Sequence, residues 1–176
     1  MVARAKGQRS LKSRALQILA QREQSRIELK RKLLRHARLD AADADPDDPG
    51  PDAEAQVEAL LDWLEAHRFL SAERFVESRV HAREARFGNL RIRGELAQHG
   101  LAVPAERVQA LQDSELDRAA AVRQRRFVST PLDAAERAAQ SRFLANRGFT
   151  PEVIHRLMRR LQVPDTCSEK GRDDAG

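Results

Sequence analysis

The sequence predicts an all-α protein of three tandem three-helix repeats in an elongated, curved array, and three observations carry that prediction. Aromatic residues fill only 4% of the 176 positions and Tyr is missing, so any core must be built from Leu, Val, Ile and Ala. Apolar residues recur at i, i+3, i+4 and i+7 between residues that cap helices. The chain also resembles itself: residues 96–101 (Leu-Ala-Gln-His-Gly-Leu) match residues 144–149 (Leu-Ala-Asn-Arg-Gly-Phe) in character at every place. Each is followed by an apolar-x-x-Leu step, Val108 to Leu111 and Ile154 to Leu157. In the first repeat Leu33-Leu34-Arg35-His36-Ala37 takes the equivalent place and Val57 to Leu60 the second step. A unit of about 45 residues buries little alone, so neighbouring repeats are expected to share apolar surface.

Nine helices are expected. The first covers residues 11–21, with Leu11, Ala15, Ile18 and Leu19 on one face. Ser25 followed by Glu28 is a capping-box pattern that opens the second, which runs to about Ala37 with Ile27, Leu29, Leu33 and Leu34 as its apolar set. Residues 38–53 combine Asp, Ala, Pro and Gly without apolar periodicity and read as a solvated acidic insertion that weakly masks neighbouring arginines. Pro51 and Asp52 open the third helix, whose stripe is Val57, Leu60, Leu61 and Leu64. Ser71 caps the fourth, which runs to about Phe87, where Gly88 closes it in a left-handed conformation. Asn89 starts the fifth, ending at Gly100, and Pro104 starts a sixth carrying Val108 and Leu111. The last three run over residues 115–127, from an Asp133/Glu136 cap to Arg147, and from Thr150 and Pro151 to Leu161. The expected organisation is therefore a basic disordered segment at 1–9, repeats at 10–70, 71–114 and 115–162, and a disordered tail at 163–176.

Charge is unevenly spread, and the distribution says more about partners than the net +5 does. Residues 1–38 carry a balance of +10, residues 39–62 one of −9, and residues 118–160 one of +7. Of the 32 bases, 27 are Arg, the cation whose fork fits carboxylates and phosphates. No apolar run reaches the roughly 18 residues of a membrane span and the N-terminus has no apolar leader, so a cytoplasmic protein is expected. The lone Cys167 gives neither a disulfide framework nor a zinc cluster.

Catalytic patterns are missing. Gly88, Gly94 and Gly100 follow helix boundaries and do not open a strand-to-helix phosphate loop. His36, His67, His81, His99 and His155 lack the i, i+4 pairing of a zinc hydrolase and read as surface or helix-end residues. The carboxylates of 40–58 lack the alternation of a calcium loop. No enzyme, metal or cofactor is expected. What remains is cationic: Arg31, Arg35 and Arg38 form one stripe at i, i+4, i+7, and Arg79, Arg83 and Arg86 repeat that spacing at the edge of an apolar face, where their stems can cover core. Arg91 and Arg93 follow across the Gly88 turn, so that with the second stripe five cations are expected to converge, and Arg125, Arg126 and Arg147 add to the supply. With so few aromatics, most at core-like positions, single-strand stacking platforms are not expected, and phosphate contact should be sequence-tolerant.

Leu19, Arg22, Ser25, Glu28, Leu29, Lys32 and Leu33 resemble the Leu-x-x-Arg-x-x-Ser-x-x-Glu-Leu-x-x-Lys-Leu opening of the RecX family, modulators of the RecA recombinase. Trp63, Leu64, Phe69, Leu70, Glu73, Arg74 and Phe75, then Arg83, Gly88, Ile92, Glu95, Leu96, Gly100 and Leu101, are similar to the family's most recognisable block. Phe143, Leu144, Arg147, Gly148, Phe149 and Ile154 follow in the same manner, while Ala72 stands where the family usually has an acid. The resemblance implies three three-helix repeats, no catalysis, and a monomer that binds in the groove of the RecA filament to restrain strand exchange, ATP hydrolysis and filament growth. The arginines named above are the expected contacts to RecA or to single- or double-stranded DNA. A DNA-binding helical protein that competes for DNA, or a helical adaptor for another acidic partner, are the alternatives.

Overall fold

A computed structural model describes residues 10–42 and 52–162, and these form eight α-helices with no strand among them. They are α1 (Leu11–Gln21), α2 (Arg26–Ala42), α3 (Ala53–Ala66), α4 (Ala72–Glu84), α5 (Asn89–Ala97), α6 (Ala105–Gln124), α7 (Ala134–Asn146) and α8 (Pro151–Arg160). The all-α class is as the sequence predicts, and the helix order is consistent with tandem three-helix repeats. The tails at 1–9 and 163–176 and the acidic residues 43–51 lie outside the described residues.

The expected ninth helix is absorbed. Where a break is expected after Leu111, α6 runs unbroken through its 20 residues, because the side chains that suit a break are satisfied along the helix. Asp113 accepts from Gln109 at 2.8 Å, and the Ser114 hydroxyl donates to the Ala110 carbonyl at 2.8 Å. The expected stop near Ala37 also fails. Ala37 stands where the later repeats have Gly, and with a Cβ there and alanines beyond, α2 runs on to Ala42 into the acidic segment.

The described residues fall into two compact units, the division passing through α4. One takes residues up to Arg79 with Gln98–Leu101. Its core is Ala15, Leu29, Leu33, Ala37, Val57, Leu61, Leu64 and Leu70. Helix starts follow the caps read from sequence: Ser25 accepts from the Glu28 amide at 3.1 Å, Asp52 from Glu54 at 3.1 Å and Ser71 from Arg74 at 3.2 Å. Glu28 does not complete the capping box; its carboxylate pairs with Arg22 at 3.1 Å and Arg79 at 3.2 Å. His99 is not a free surface residue, since its Nδ1 lies 2.9 Å from Ser25 Oγ and its ring meets Phe75 edge-on. The α2–α3 seam is ionic on its outer side. Arg26 reaches Glu58, Asp62 and Glu65 at 2.6–2.7 Å, and Lys30 reaches Glu54 and Glu58. Burial works against the Arg26 charge, but hydrogen bonds to Asp62 and Glu58 and the Glu65 charge outweigh it and raise its pKa.

The second unit takes Val80–Ala97 and the residues from Ala102 on. Leu116, Ala119, Val122, Leu144, Phe149, Ile154, Leu157 and Met158 form a core between α6, α7 and α8. Asp133 caps α7 through the Glu136 amide at 2.8 Å, as expected. Two helix ends differ from expectation. α4 stops at Glu84, and Gly88 is not left-handed; among the described residues the left-handed glycines are Gly100 (φ 68°) and Gly148 (φ 79°). Gly88 is required by proximity instead, because its amide donates to the Arg147 carbonyl at 3.0 Å and a Cβ there would lie 2.2 Å from the Gly148 carbonyl oxygen.

Two outcomes follow from these contacts. Gly88→Ala forces backbone apart and should lower stability by roughly 3 kcal/mol or more in urea unfolding, whereas Gly94→Ala, open to solvent within α5, should raise it by about 0.5–1 kcal/mol. Hydrogen bonds from Lys30 and then Arg26 hold the Glu58 pKa below the usual carboxylate range. The stabilisation from that pair is therefore full above the ordinary carboxylate pKa and lost as pH falls through the lowered one. Glu58→Gln should lower the thermal midpoint at pH 7, and the gap from the parent should narrow as pH falls below the ordinary carboxylate pKa of about 4.3.

Candidate functional site

The expected arginines divide by what their guanidinium groups meet. Arg31, Arg35 and Arg38 are exposed on α2 and make no ion pair among the described residues. Arg79 is turned inward, pairing with Glu28 and lying 5.1 Å from the Phe75 ring centroid, so its stem covers core as the helical spacing warned. Arg83 and Arg91 share Glu95 at 2.8 and 3.5 Å and both lie over Phe87. Arg93 is exposed. The five cations of 79–93 therefore do not act as one free set.

A different four come together in the second unit. Arg86, Arg125, Arg126 and Arg147 line an open concavity of about 350 Å³ with Val122 and Phe143, and no carboxylate is among the lining residues. Each of the four stands where a helix stops. Arg86 lies two residues beyond α4, Arg125 is the C-cap of α6 with Arg126 next to it, and Arg147 is the C-cap of α7. The last carbonyls of a helix carry its negative dipole end, which favours cations there by about 0.3–1 kcal/mol each and lets like charges gather. Arg147 lies over both Phe87 and Phe143, at 5.5 and 5.2 Å, and Arg125 donates to the Ala85 carbonyl at 3.3 Å. Arg126 lies over the ring of its neighbour Phe127 at 5.8 Å. Such a cluster can hold an anion by charge and by forked hydrogen bonds.

Two residues that sequence reasoning did not single out set this convergence, the buried Glu115 and the half-buried Arg118. Glu115, on α6, accepts from the Asn89 amide at 2.9 Å and its side-chain amide at 3.0 Å, and from the Thr150 amide and hydroxyl at 3.3 Å. It thereby caps α5 and α8 at once. One turn on, Arg118 donates to the carbonyls of Glu84, Phe87 and Leu111 and to Asn89 Oδ1 at 2.7–3.2 Å. Burial lowers the Arg118 pKa, with Glu115 and Glu84 opposing. The i, i+3 spacing of Glu115 and Arg118 is the available signal, and it reads as an ordinary surface pair without the fold. Arg123, whose pKa burial lowers, is likewise structural, donating to Gln140 at 2.8 Å and to the Ser129 carbonyl. Most of the seven aromatics take the core positions expected, Phe75 and Phe149 buried and Trp63 and Phe143 packed against the two cores, while Phe69 is 45% exposed and Phe87 lies beneath arginines. Among the described residues no group of three His, Cys, Asp or Glu could hold a metal, and no helix is long and apolar enough to cross a membrane.

Comparison with known proteins gives one consistent result. The family model described as RecX, third three-helix domain, matches residues 113–158. "Regulatory protein RecX" of Ralstonia nicotianae is 46% identical over 164 residues, covering 92% of each chain. The proteins of that name from Leptothrix cholodnii and Herbaspirillum seropedicae are 46% and 48% identical, over 86% and 82% of this chain and 89% and 86% of their own.

The Glu115 arrangement generates a sharp expectation. Three of its four partners are N–H groups that only donate, so Glu115→Gln turns an amide N–H₂ towards at least one N–H it cannot accept from. Urea unfolding should show a loss of about 2–3 kcal/mol, although the side chain keeps its size.

Proposed function

Because this chain belongs to the RecX family, we propose that it is a negative modulator of RecA that binds in the groove of the RecA–DNA filament and inhibits ATP hydrolysis, strand exchange and filament growth. The mechanism is steric and electrostatic. Helical units dock across successive RecA subunits and hinder the motions that ATP turnover requires, with no catalysis and no cofactor of the chain's own. The units are those at 10–70, 71–114 and 115–162, and the protein acts in the cytoplasm as a monomer. The observation that supports docking most directly is the set of Arg86, Arg125, Arg126 and Arg147 around one open concavity without a carboxylate. Arg31, Arg35, Arg38 and Arg93 supply further exposed charge. Arg79, Arg83 and Arg91 contribute through the charge left over after their pairs with Glu28 and Glu95.

The test is RecA-dependent ATP hydrolysis on saturating single-stranded DNA with RecA limiting, which removes simple competition for free DNA. Arg86→Glu combined with Arg126→Glu should abolish inhibition while helicity stays near that of the parent. Arg83→Glu should act through the fold, placing a carboxylate against Glu95 and lowering stability by about 1 kcal/mol. Full inhibition by the Arg86/Arg126 variant would move the docking surface away from this cluster.

A further inference from the structure

The concavity bounded by Arg86, Arg125, Arg126 and Arg147 has a size and a lining that suit a small polar molecule better than a protein element. Its volume of about 350 Å³ lies at the lower end of the range for small-molecule sites, roughly 300–1,000 Å³. An α-helix, about 10–12 Å across with its side chains, is too wide to enter it. The lining divides in two: four arginine side chains, and an apolar side made by the half-buried Phe143 with Val122, itself 6% exposed. Two of the cations are already placed, Arg147 over the Phe87 and Phe143 rings and Arg125 on the Ala85 carbonyl. Elsewhere in the same unit Arg83 and Arg91 share the carboxylate of Glu95, so the missing carboxylate here is a local property.

We propose that this concavity binds a nucleotide, its phosphate oxygens on the arginine forks and its base against Val122 and Phe143. Guanidinium forks match phosphate oxygens in pairs, and a base is the flat, largely apolar body that an aromatic wall beside a phosphate site accepts. An acidic peptide would satisfy the cations and place no flat apolar body beside Phe143, whose ring is packed on Arg147 and Phe127. The same chemistry is offered by a free nucleoside triphosphate and by one nucleotide of a single strand. The inference rests on the reading of this cluster as the docking surface and says what its arginines grip.

The experiment uses the full chain without RecA and two fluorescent probes, ribose-labelled ATP and an end-labelled oligothymidylate, followed by anisotropy. Arg86→Gln and Arg126→Gln should each weaken binding about tenfold, the loss expected for one charge-assisted contact. For the oligonucleotide each should also reduce the slope of log K against log salt by about 0.7. Arg159→Gln, a change of equal charge on α8, should leave both unchanged. Arg126→Gln keeps the test open should Arg86→Gln unfold, because the contact described for Arg126 is the ring of Phe127. Binding of both probes assigns free nucleotide and strand alike, and binding of the oligonucleotide alone assigns the strand. Failure of both probes to bind, unchanged affinity in both variants, or displacement of the probes by polyglutamate as readily as by unlabelled nucleotide overturns the inference. RecA-dependent ATP hydrolysis on the same variants separates the two claims. Lost inhibition with unchanged probe binding overturns the nucleotide site and leaves RecA docking standing. Lost probe binding with retained inhibition upholds the site and removes the cluster from docking.

Discussion

The second unit depends on one buried carboxylate. Glu115 is 3% exposed, and such a charge is tolerated only where donors surround it. It has them because α5 and α8 both begin at it, Asn89 and Thr150 presenting their amides and side-chain donors to its two oxygens. Helix N-termini carry the positive dipole ends that a carboxylate prefers. Remaining geometry follows from this. With α5 starting at Asn89, Gly88 is pressed against the Gly148 backbone, and the Leu90 amide donates to the Gly148 carbonyl at 3.0 Å. Arg86 and Arg147, each close before one of those glycines in the chain, are brought to the same place.

The distribution of acids decides which arginines are available to a partner. Glu28 holds Arg22 and Arg79, Glu95 holds Arg83 and Arg91, Glu23 holds Arg74, and the acids of α3 hold Arg26 and Lys30. Among the described acids of residues 39–62, Glu54, Glu58 and Asp62 are thus directed at the α2–α3 seam and not at Arg31, Arg35 or Arg38. Exposed pairs of this kind contribute little stability each, typically below about 1 kcal/mol. Their larger effect is to remove cations from the outer field, which leaves the C-cap arginines as the concentrated remainder in the second unit.

Local signals were legible in the sequence and long-range ones were not. Ser25, Asp52, Ser71 and Asp133 cap the helices that their spacing predicts, since a cap acts within three residues. Pro151 at the start of α8 follows the same logic. The repeat pattern located the left-handed Gly100 and Gly148 together, but Gly88 belongs to another class, set by a backbone 60 positions away. The fusion in α6 was hidden because Asp113 and Ser114 are breakers by type and helix residues by context. Spacing on a wheel placed Arg79, Arg83 and Arg86 together, yet Glu28 and Glu95 divide them, and the cluster that does form draws on three helix ends, a relation no single-helix period contains.

The stack around Trp63 makes the two units spectroscopically unequal. Lys12 Nζ lies 3.4 Å from its ring centroid, with His67 stacked at 4.1 Å and Phe69 at 5.7 Å. It is the sole Trp, and there is no Tyr, so near-ultraviolet emission from this protein comes from the α1–α3 unit alone. The arginine cluster and the Glu115 hub sit in a unit that is dark at those wavelengths. A melt followed by emission and one followed by far-ultraviolet dichroism therefore monitor different parts of the chain, and their midpoints agree only if both units unfold as one cooperative body.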